Sequence, residues 1–408
     1  MAEEEEEEEE GRKVVVASAA APKSVSVPQA VIRKRRHPPP WVRPAGTRFV
    51  VDGFTYACEG MGIEHWFLTH FHADRYEGLS AEFARGVVYG SETTMRLVRE
   101  KLGVEASRTR ALPVGVPTRV DGVDVTFIDA NHCPGAVMIM FENITSATSG
   151  AALPPVLHTG DFRFHADMRQ NAHLLAVSNK QPILILDTTY CSLEHDSFPT
   201  QEHVLRAACD AVRSEDCGAS TRKLFLFGSY TIGKEKVFLS VARALRRPVY
   251  VGKAKRAVLD ALDLPREDLK LISTRDDKTN LHVVPMGSTS FRKMAAIMKY
   301  YRSRFDSVIA FRPTGWTFSA ERKTSRKTTR RQHGKLVQYG LPYSEHSSLR
   351  EMREFVRFIS PRKIFPHVGN DFGERLARML RLLTASDDEY ACMLAEYDDL
   401  HRRRQVAN

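Results

Sequence analysis

The sequence has no CxxC pair: its six cysteines, Cys58, Cys133, Cys191, Cys209, Cys217 and Cys392, are scattered singly along 408 residues. That excludes a disulfide framework and a cysteine-pair zinc finger, and it suits a reducing compartment. The sequence also lacks any apolar run near the ~18 residues a membrane span needs, so no membrane partner is expected. Nor does it open on a basic, apolar leader. Glu3 to Glu10 is an unbroken acidic run, which reads as neither a secretory signal nor a transit peptide. With that run included the formal net charge is still +10. The remainder is therefore more basic than the total suggests, and a polyanionic partner is favoured.

What is present suffices for sizeable cores, since 42% of the residues are hydrophobic and the chain is longer than one average domain needs. Residues 1–42 read as a disordered tail: the acidic run, an Ala/Val/Ser/Pro stretch, then the basic tetrad Arg33 to Arg36 before Pro38-Pro39-Pro40, with too little apolar content to offset ordering entropy. The tetrad reads as a nuclear-import signal or a DNA-contacting arm, against a plain solvated charge run. From about residue 47 short apolar strands alternate with helical patterns. Expected strands include 66–69, 123–128, 137–141, 156–158, 183–186, 224–227, 249–251, 308–311, 336–339 and 364–365. Expected helices include 201–212, 234–245, 347–358 and 372–383. Interleaving of this kind gives an α/β chain. Residues 144–155 read as a small polar hairpin insertion, and 322–331 as a basic loop that is either solvated or in contact with a DNA backbone.

Three short motifs carry chemistry. Thr69-His70-Phe71-His72-Ala73-Asp74 follows an apolar strand; Asn131-His132-Cys133-Pro134-Gly135 lies between two strands; Leu157-His158-Thr159-Gly160-Asp161 ends another. Histidines and a carboxylate delivered at strand ends form a tetrahedral or expanded zinc set. A fourth stretch, Gly228-Ser229-Tyr230-Thr231-Ile232-Gly233-Lys234, follows a strand and opens a helix. Its hydroxyls, lysine and helix N-terminus can cradle a terminal phosphate, but it lacks the Walker A spacing, so no ATP site is read.

With these residues in view the chain resembles the metallo-β-lactamase superfamily, and within it the β-CASP branch that includes the Artemis- and Apollo-like DNA cross-link-repair nucleases. The resemblance runs from about Gly46 to about Gly369 and includes LDTTYC (186–191), GSYTIGKEKVFL (228–239), FRPTGWTFS (311–319) and PYSEHSSL (342–349). It implies zinc held by His70, His72, His132 and Asp161. Asp74 would serve as second-metal ligand or as base toward the attacking water, and Asp187 as an acidic group near the metals. His346 would contact the scissile phosphate and assist the leaving oxygen. Ser229, Thr231, Lys234 and Thr314 would bind the phosphate and the DNA, with Trp316 beside them. Val368 falls where the DNA-acting branch has valine and RNA-processing relatives have a histidine; His367 stands next to it.

One departure is serious. The family motif ends Asp-His, whereas this chain reads Asp74-Arg75. Arginine carries donors only and cannot ligate zinc, so one tightly bound zinc is expected and the second site is impaired. Arg75 would replace the second cation on the transferring phosphate, or else pair with Asp74 and suppress activity. The resemblance further implies an α/β fold: a metallo-β-lactamase αββα sandwich (43–194, returning over 331–385) with an inserted β-CASP domain (195–330) and a C-terminal tail (386–408). The chain would re-enter the first domain with Leu336 to Tyr339. The implied function is a nuclear, monomeric, metal-dependent 5′-to-3′ DNA exonuclease. It would use zinc-activated water on DNA with 5′-phosphate ends, in interstrand cross-link or double-strand-break repair. The alternatives are a catalytically impaired DNA-binding or scaffold protein, and an RNA endonuclease of the same superfamily.

Overall fold

The structure, a computed structural model, describes residues 38–57, 62–217, 221–315 and 328–406. The basic tetrad, Trp316 and residues 322–327 of the basic loop lie outside them. Four short strands, β1 (Phe49–Val51), β2 (His65–Phe67), β3 (Val87–Gly90) and β4 (Thr109–Ala111), pair side by side in parallel. A second sheet takes β5 (Thr118–Val120), β6 (Val123–Asp129), β7 (Val137–Glu142), β8 (Val156–His158) and β9 (Ile183–Leu186). Its β5 to β8 are antiparallel, and β9 joins β8 in parallel.

Strand alternation explains how these two sheets pack. Phe49 and Val51 face inward with Phe67, meeting Val125, Phe127, Val137, Ile139 and Phe141 of the second sheet in one buried core. The alternate residues face out. Val50, Trp66 and Val88 pack with Met95, Leu97 and Val98 of the helix Glu92–Leu102. Met138, Met140, Leu184 and Leu186 pack with Leu349, Met352 and Phe355 of the helix Leu349–Ile359. Helix, sheet, sheet and helix therefore stack as the expected αββα sandwich.

A third sheet has seven strands: β10 (Lys223–Ser229), β11 (Val249–Tyr250), β12 (Ile272–Ser273), β13 (Leu281–Pro285), β14 (Ser307–Pro313), β15 (Thr329–His333) and β16 (Leu336–Leu341). All its pairings are parallel except β15 with β16. Here the structure corrects the sequence reading. Leu336 to Tyr339 does not return the chain to the sandwich; it pairs in parallel with β14, Val308 opposite Leu336. Burial is the reason: Tyr339 stacks on Phe311 at 5.1 Å, which stacks on Phe227 at 5.2 Å, completing one face of this sheet. The return is made by the helix Leu349–Ile359 and by β17 (Lys363–Pro366), which joins the second sheet beside β9. Because β8, β9 and β17 run parallel, the loops after them emerge at one sheet edge, and they carry Asp161, Asp187 and His367.

Candidate metal centre and its flanks

Each of the first two motifs turns its histidines inward from a strand end. The loop after β2 is held by Asp52, whose carboxylate accepts from the Thr69 amide (2.8 Å) and hydroxyl (2.6 Å). Thr69 Oγ1 in turn accepts from His70 Nδ1 at 3.0 Å. That fixes the His70 tautomer and leaves Nε2 as a bare lone pair. His132 Nδ1 donates to the Glu345 carbonyl at 2.8 Å, so its Nε2 is bare as well. His72 Nε2 donates to the Ile232 carbonyl at 3.3 Å, which leaves Nδ1 bare.

These three bare nitrogens face one another. His72 Nδ1 lies 3.0 Å from His70 Nε2 and 3.2 Å from His132 Nε2. Asp161 Oδ2 approaches at 3.5 Å from His70 Nε2 and 3.9 Å from His132 Nε2. Three lone pairs cannot satisfy one another; they call for a cation between them. Bonds of 2.0–2.1 Å to a tetrahedral zinc imply ligand-to-ligand edges of about 3.3 Å, close to these separations. A proton is a poor substitute: burial is the leading cause that lowers the pKa of all three histidines, that of His132 to about 3. The donor set thus fits a metal ion. Cys133, next to His132 in its motif, brings Sγ within 4.8 Å of donor atoms of the three histidines, and burial raises its thiol pKa.

Arg75 sits where the sequence predicted a second cation to be missing. Its Nη2 donates to Asp161 Oδ1 at 2.5 Å, and its Nε lies 3.4 Å from Asp74 Oδ2. Burial would raise the pKa of Asp161, but the Arg75 charge and the nearby histidines hold it well below the usual carboxylate range. Asp74 is the predicted ligand that the fold does not gather in; its side chain is 68% exposed and Arg75 is its ion-pair partner. Asp52, which burial raises to about 7 despite Arg75, lies beneath the same guanidinium.

Buried Asp187 and half-buried His346 form a pair near Asp161. Asp187 Oδ2 accepts from His346 Nδ1 at 2.8 Å and from the Phe162 amide at 3.2 Å. Its Oδ1 accepts from the Thr189 amide and hydroxyl at 2.9 and 2.6 Å. Burial works against a charged His346, yet the Asp187 charge and hydrogen bond outweigh it and raise the pKa. The His346 ring lies 4.7 Å from that of His132. His367, not Val368, turns a ring nitrogen toward Asp161 and Asp187, and it donates to the Gly160 carbonyl at 3.1 Å.

The loop after β10 reaches the centre through the Ile232 carbonyl on His72. Of its predicted phosphate binders, Thr231 is exposed, whereas Ser229 and Lys234 are buried. Ser229 Oγ is tied to the Gly233 carbonyl and accepts from Lys255 Nζ at 3.1 Å. Lys234 is clamped by Glu345, its Nζ at 2.8 Å and its amide at 2.9 Å from the two carboxylate oxygens. Burial would raise the pKa of Glu345, but Lys234 and His132 bring it to about 2. Gly233 is required between them: its φ is +93°, and a Cβ would stand 3.1 Å from Glu345 Oε2. Thr314 is buried at the end of β14, its amide donating to the Leu341 carbonyl. Glu345 and Lys255 escaped the sequence reading; Glu345 stands inside the PYSEHSSL stretch, but its partner lies 111 residues away.

Residues 266–372 match the family described as DNA repair metallo-beta-lactamase. The DNA cross-link repair protein SNM1 of Arabidopsis thaliana is 41% identical over 333 residues, covering 80% of this chain and 65% of that protein. The mouse DNA cross-link repair 1A protein is 41% identical over 334 residues, 82% of this chain and 31% of its own length. The 5′ exonuclease Apollo of Gallus gallus is 29% identical over 328 residues, 80% of this chain and 63% of its own. This chain thus spans less than two thirds of each of these relatives. The matches and the αββα sandwich agree: the chain carries the DNA repair metallo-beta-lactamase match over residues 266–372 and is similar along four fifths of its length to DNA cross-link repair proteins.

Proposed function

We propose that this chain is a one-zinc nuclease that hydrolyses DNA phosphodiesters from 5′-phosphate ends, acting as a monomer in nuclear DNA repair. The observation that carries the reading is the set of three bare imidazole nitrogens, 3.0 and 3.2 Å apart, turned on one point beside Asp161. Zinc bound there supplies Lewis acidity, acidifying water and polarising a phosphoryl oxygen. The remaining work falls to the chain's own residues. Asp161 is shared between the zinc set and Arg75, so the guanidinium sits beside the ligands as a fixed second positive charge for the phosphate oxygens. Asp187 orients His346 and favours its protonated form, from which Nε2 donates a proton toward the leaving oxygen. Asp74, exposed at the rim, orients water or takes up its proton. The loop from Ser229 to Lys234, with Thr231 outward and a helix N-terminus behind it, receives the terminal phosphate.

The Arg75–Asp161 ion pair favours one second reading, a DNA-binding protein whose chemistry is suppressed because the pair withholds Asp161 from the metal. Digestion of 5′-phosphorylated, 3′-labelled single-stranded DNA separates the two. Stepwise shortening by the wild type and none by Asp161→Asn supports the nuclease. Zinc-loaded, folded protein that shortens nothing refutes it.

A further inference from the structure

Phe372 is the most exposed of the large hydrophobic side chains among the described residues, at 66%. It also holds φ at +58°, a left-handed conformation that a bulky side chain rarely adopts. Neither feature helps the free chain, and such outliers collect at functional sites. Its ring packs on Trp41, with centroids 4.9 Å apart and planes 36° from parallel.

Both aromatics are tied to the metal centre. The Trp41 carbonyl accepts from His158 Nε2 at 3.0 Å, and His158 Nδ1 accepts from the Gly160 amide at 2.9 Å. Phe372 stands five residues beyond His367, whose Nε2 donates to the Gly160 carbonyl at 3.1 Å. The two anchors thus flank Gly160, the residue before Asp161. The 229–234 loop touches the cluster at a different member, His72. Arginines stand close to the pair in the chain: the Arg375 guanidinium lies over Gly369, where a Cβ would be 2.5 Å from its Nη2, and Arg43, two residues after Trp41, is exposed.

We propose that Phe372, backed by Trp41, is a stacking shelf for unpaired DNA bases on the 3′ side of the bond being cut. An exposed ring offers an unpaired base a π-face, and Arg43 and Arg375 supply positive charge for the phosphates of the strand. The polarity rests on the nuclease reading above. If the 5′ phosphate enters the 229–234 loop, the remaining strand leaves across the Asp161 flank and meets Phe372.

The test uses zinc-loaded protein and 5′-phosphorylated single strands with phosphorothioate linkages that resist hydrolysis, each carrying 2-aminopurine at one position. The readouts are affinity and the fluorescence of the probe base, so binding is measured apart from cutting. Phe372→Ala is expected to weaken binding about five-fold or more and to abolish the change in probe fluorescence at one or two positions 3′ of the first linkage. Phe372→Tyr should restore both, and removing the base at those positions should weaken the wild type but not Phe372→Ala. Equal affinities and equal probe signals for wild type and Phe372→Ala would overturn the shelf and leave the ring as a protein-docking feature. A wild type that binds in this pattern but cuts no normal DNA would refute the nuclease reading while the shelf stands.

Discussion

Replacing Arg75 by histidine, the residue that the family pattern carries there, should exchange a built-in cation for a metal requirement. Arg75 is 16% and Asp161 5% exposed at the side chain, and the ion pair between them is largely dry. Breaking a buried pair by removing one partner costs ~3–5 kcal/mol because the other charge is left uncompensated. Entropies of unfolding near 2 cal/mol/K per residue make each kcal/mol worth ~1–1.5 °C in a fold this large. Metal-free Arg75→His should therefore melt ~3–7 °C below metal-free wild type. With Asp161 Oδ1 released, Asp74 close by and an imidazole added, a second divalent ion has ligands. Elemental analysis after dialysis against zinc should find one ion per wild-type chain and two per variant chain, and zinc should reverse the melting deficit. An unchanged metal-free melting temperature would show that the guanidinium does not stabilise Asp161. Two ions in the wild type would refute the argument that Arg75 stands in for a cation.

Other consequences are more local. Chelation should end DNA digestion by the wild type and zinc should restore it, read on the same labelled strands. His346→Ala and Asp187→Asn should each slow cleavage by ~10²–10⁴-fold with little change in DNA affinity; unchanged turnover in single-turnover assays would remove the pair from the chemistry. Glu345→Gln leaves Lys234 buried without its counter-charge, and should cost ~3 kcal/mol in urea unfolding, while Lys234→Met in the same chain should recover part of the loss. Burial is the main cause that holds His282 down to about 4 from an ordinary 6.5. Its neutral form is the one the fold favours, so this contribution is complete above pH 6.5 and is lost as pH falls from there through 4. It should amount to ~2 kcal/mol by pH 5, and the stability gap between wild type and His282→Gln should shrink by that amount between pH 7.5 and 5.

The strands at 156–158 and 183–186 were legible to the residue because an apolar run between turn residues is a local signal. The gathering of His70, His72, His132 and Asp161 was legible for the same reason: each motif sits just past a strand end, and strand ends converge. Leu336 to Tyr339 failed because apolar periodicity says that a strand is buried, not which sheet buries it. Asp74 was taken for a ligand by its place in the motif. Its exposure follows from Arg75, which turns inward to reach Asp161. Lys234 was read as a phosphate binder, and nothing near it in sequence announces its clamp by Glu345.

Those failures share a cause with physical content. The motifs specify donors, whereas the state of each donor is set by partners brought in from elsewhere: Ile232 for His72, Glu345 for His132, and Asp52 through Thr69 for His70. Two of the three partners come from outside the paired β1–β9 sheets, one from the loop after β10 and one from the segment after β16. The third sheet and the segment after it therefore take part in setting the metal centre. They fix which nitrogen of His72 is bare, and through the Glu345–Lys234 clamp they steady the carbonyl that orients His132. Loosening that sheet should weaken zinc before it weakens DNA. Zinc affinity of Lys234→Met, titrated against a chelating dye, is expected to fall by about ten-fold, the lower end of what loss of a ligand's supporting partner costs. Unaltered zinc affinity in a variant that has lost phosphate-end preference would instead assign Lys234 to the substrate and not to the metal centre.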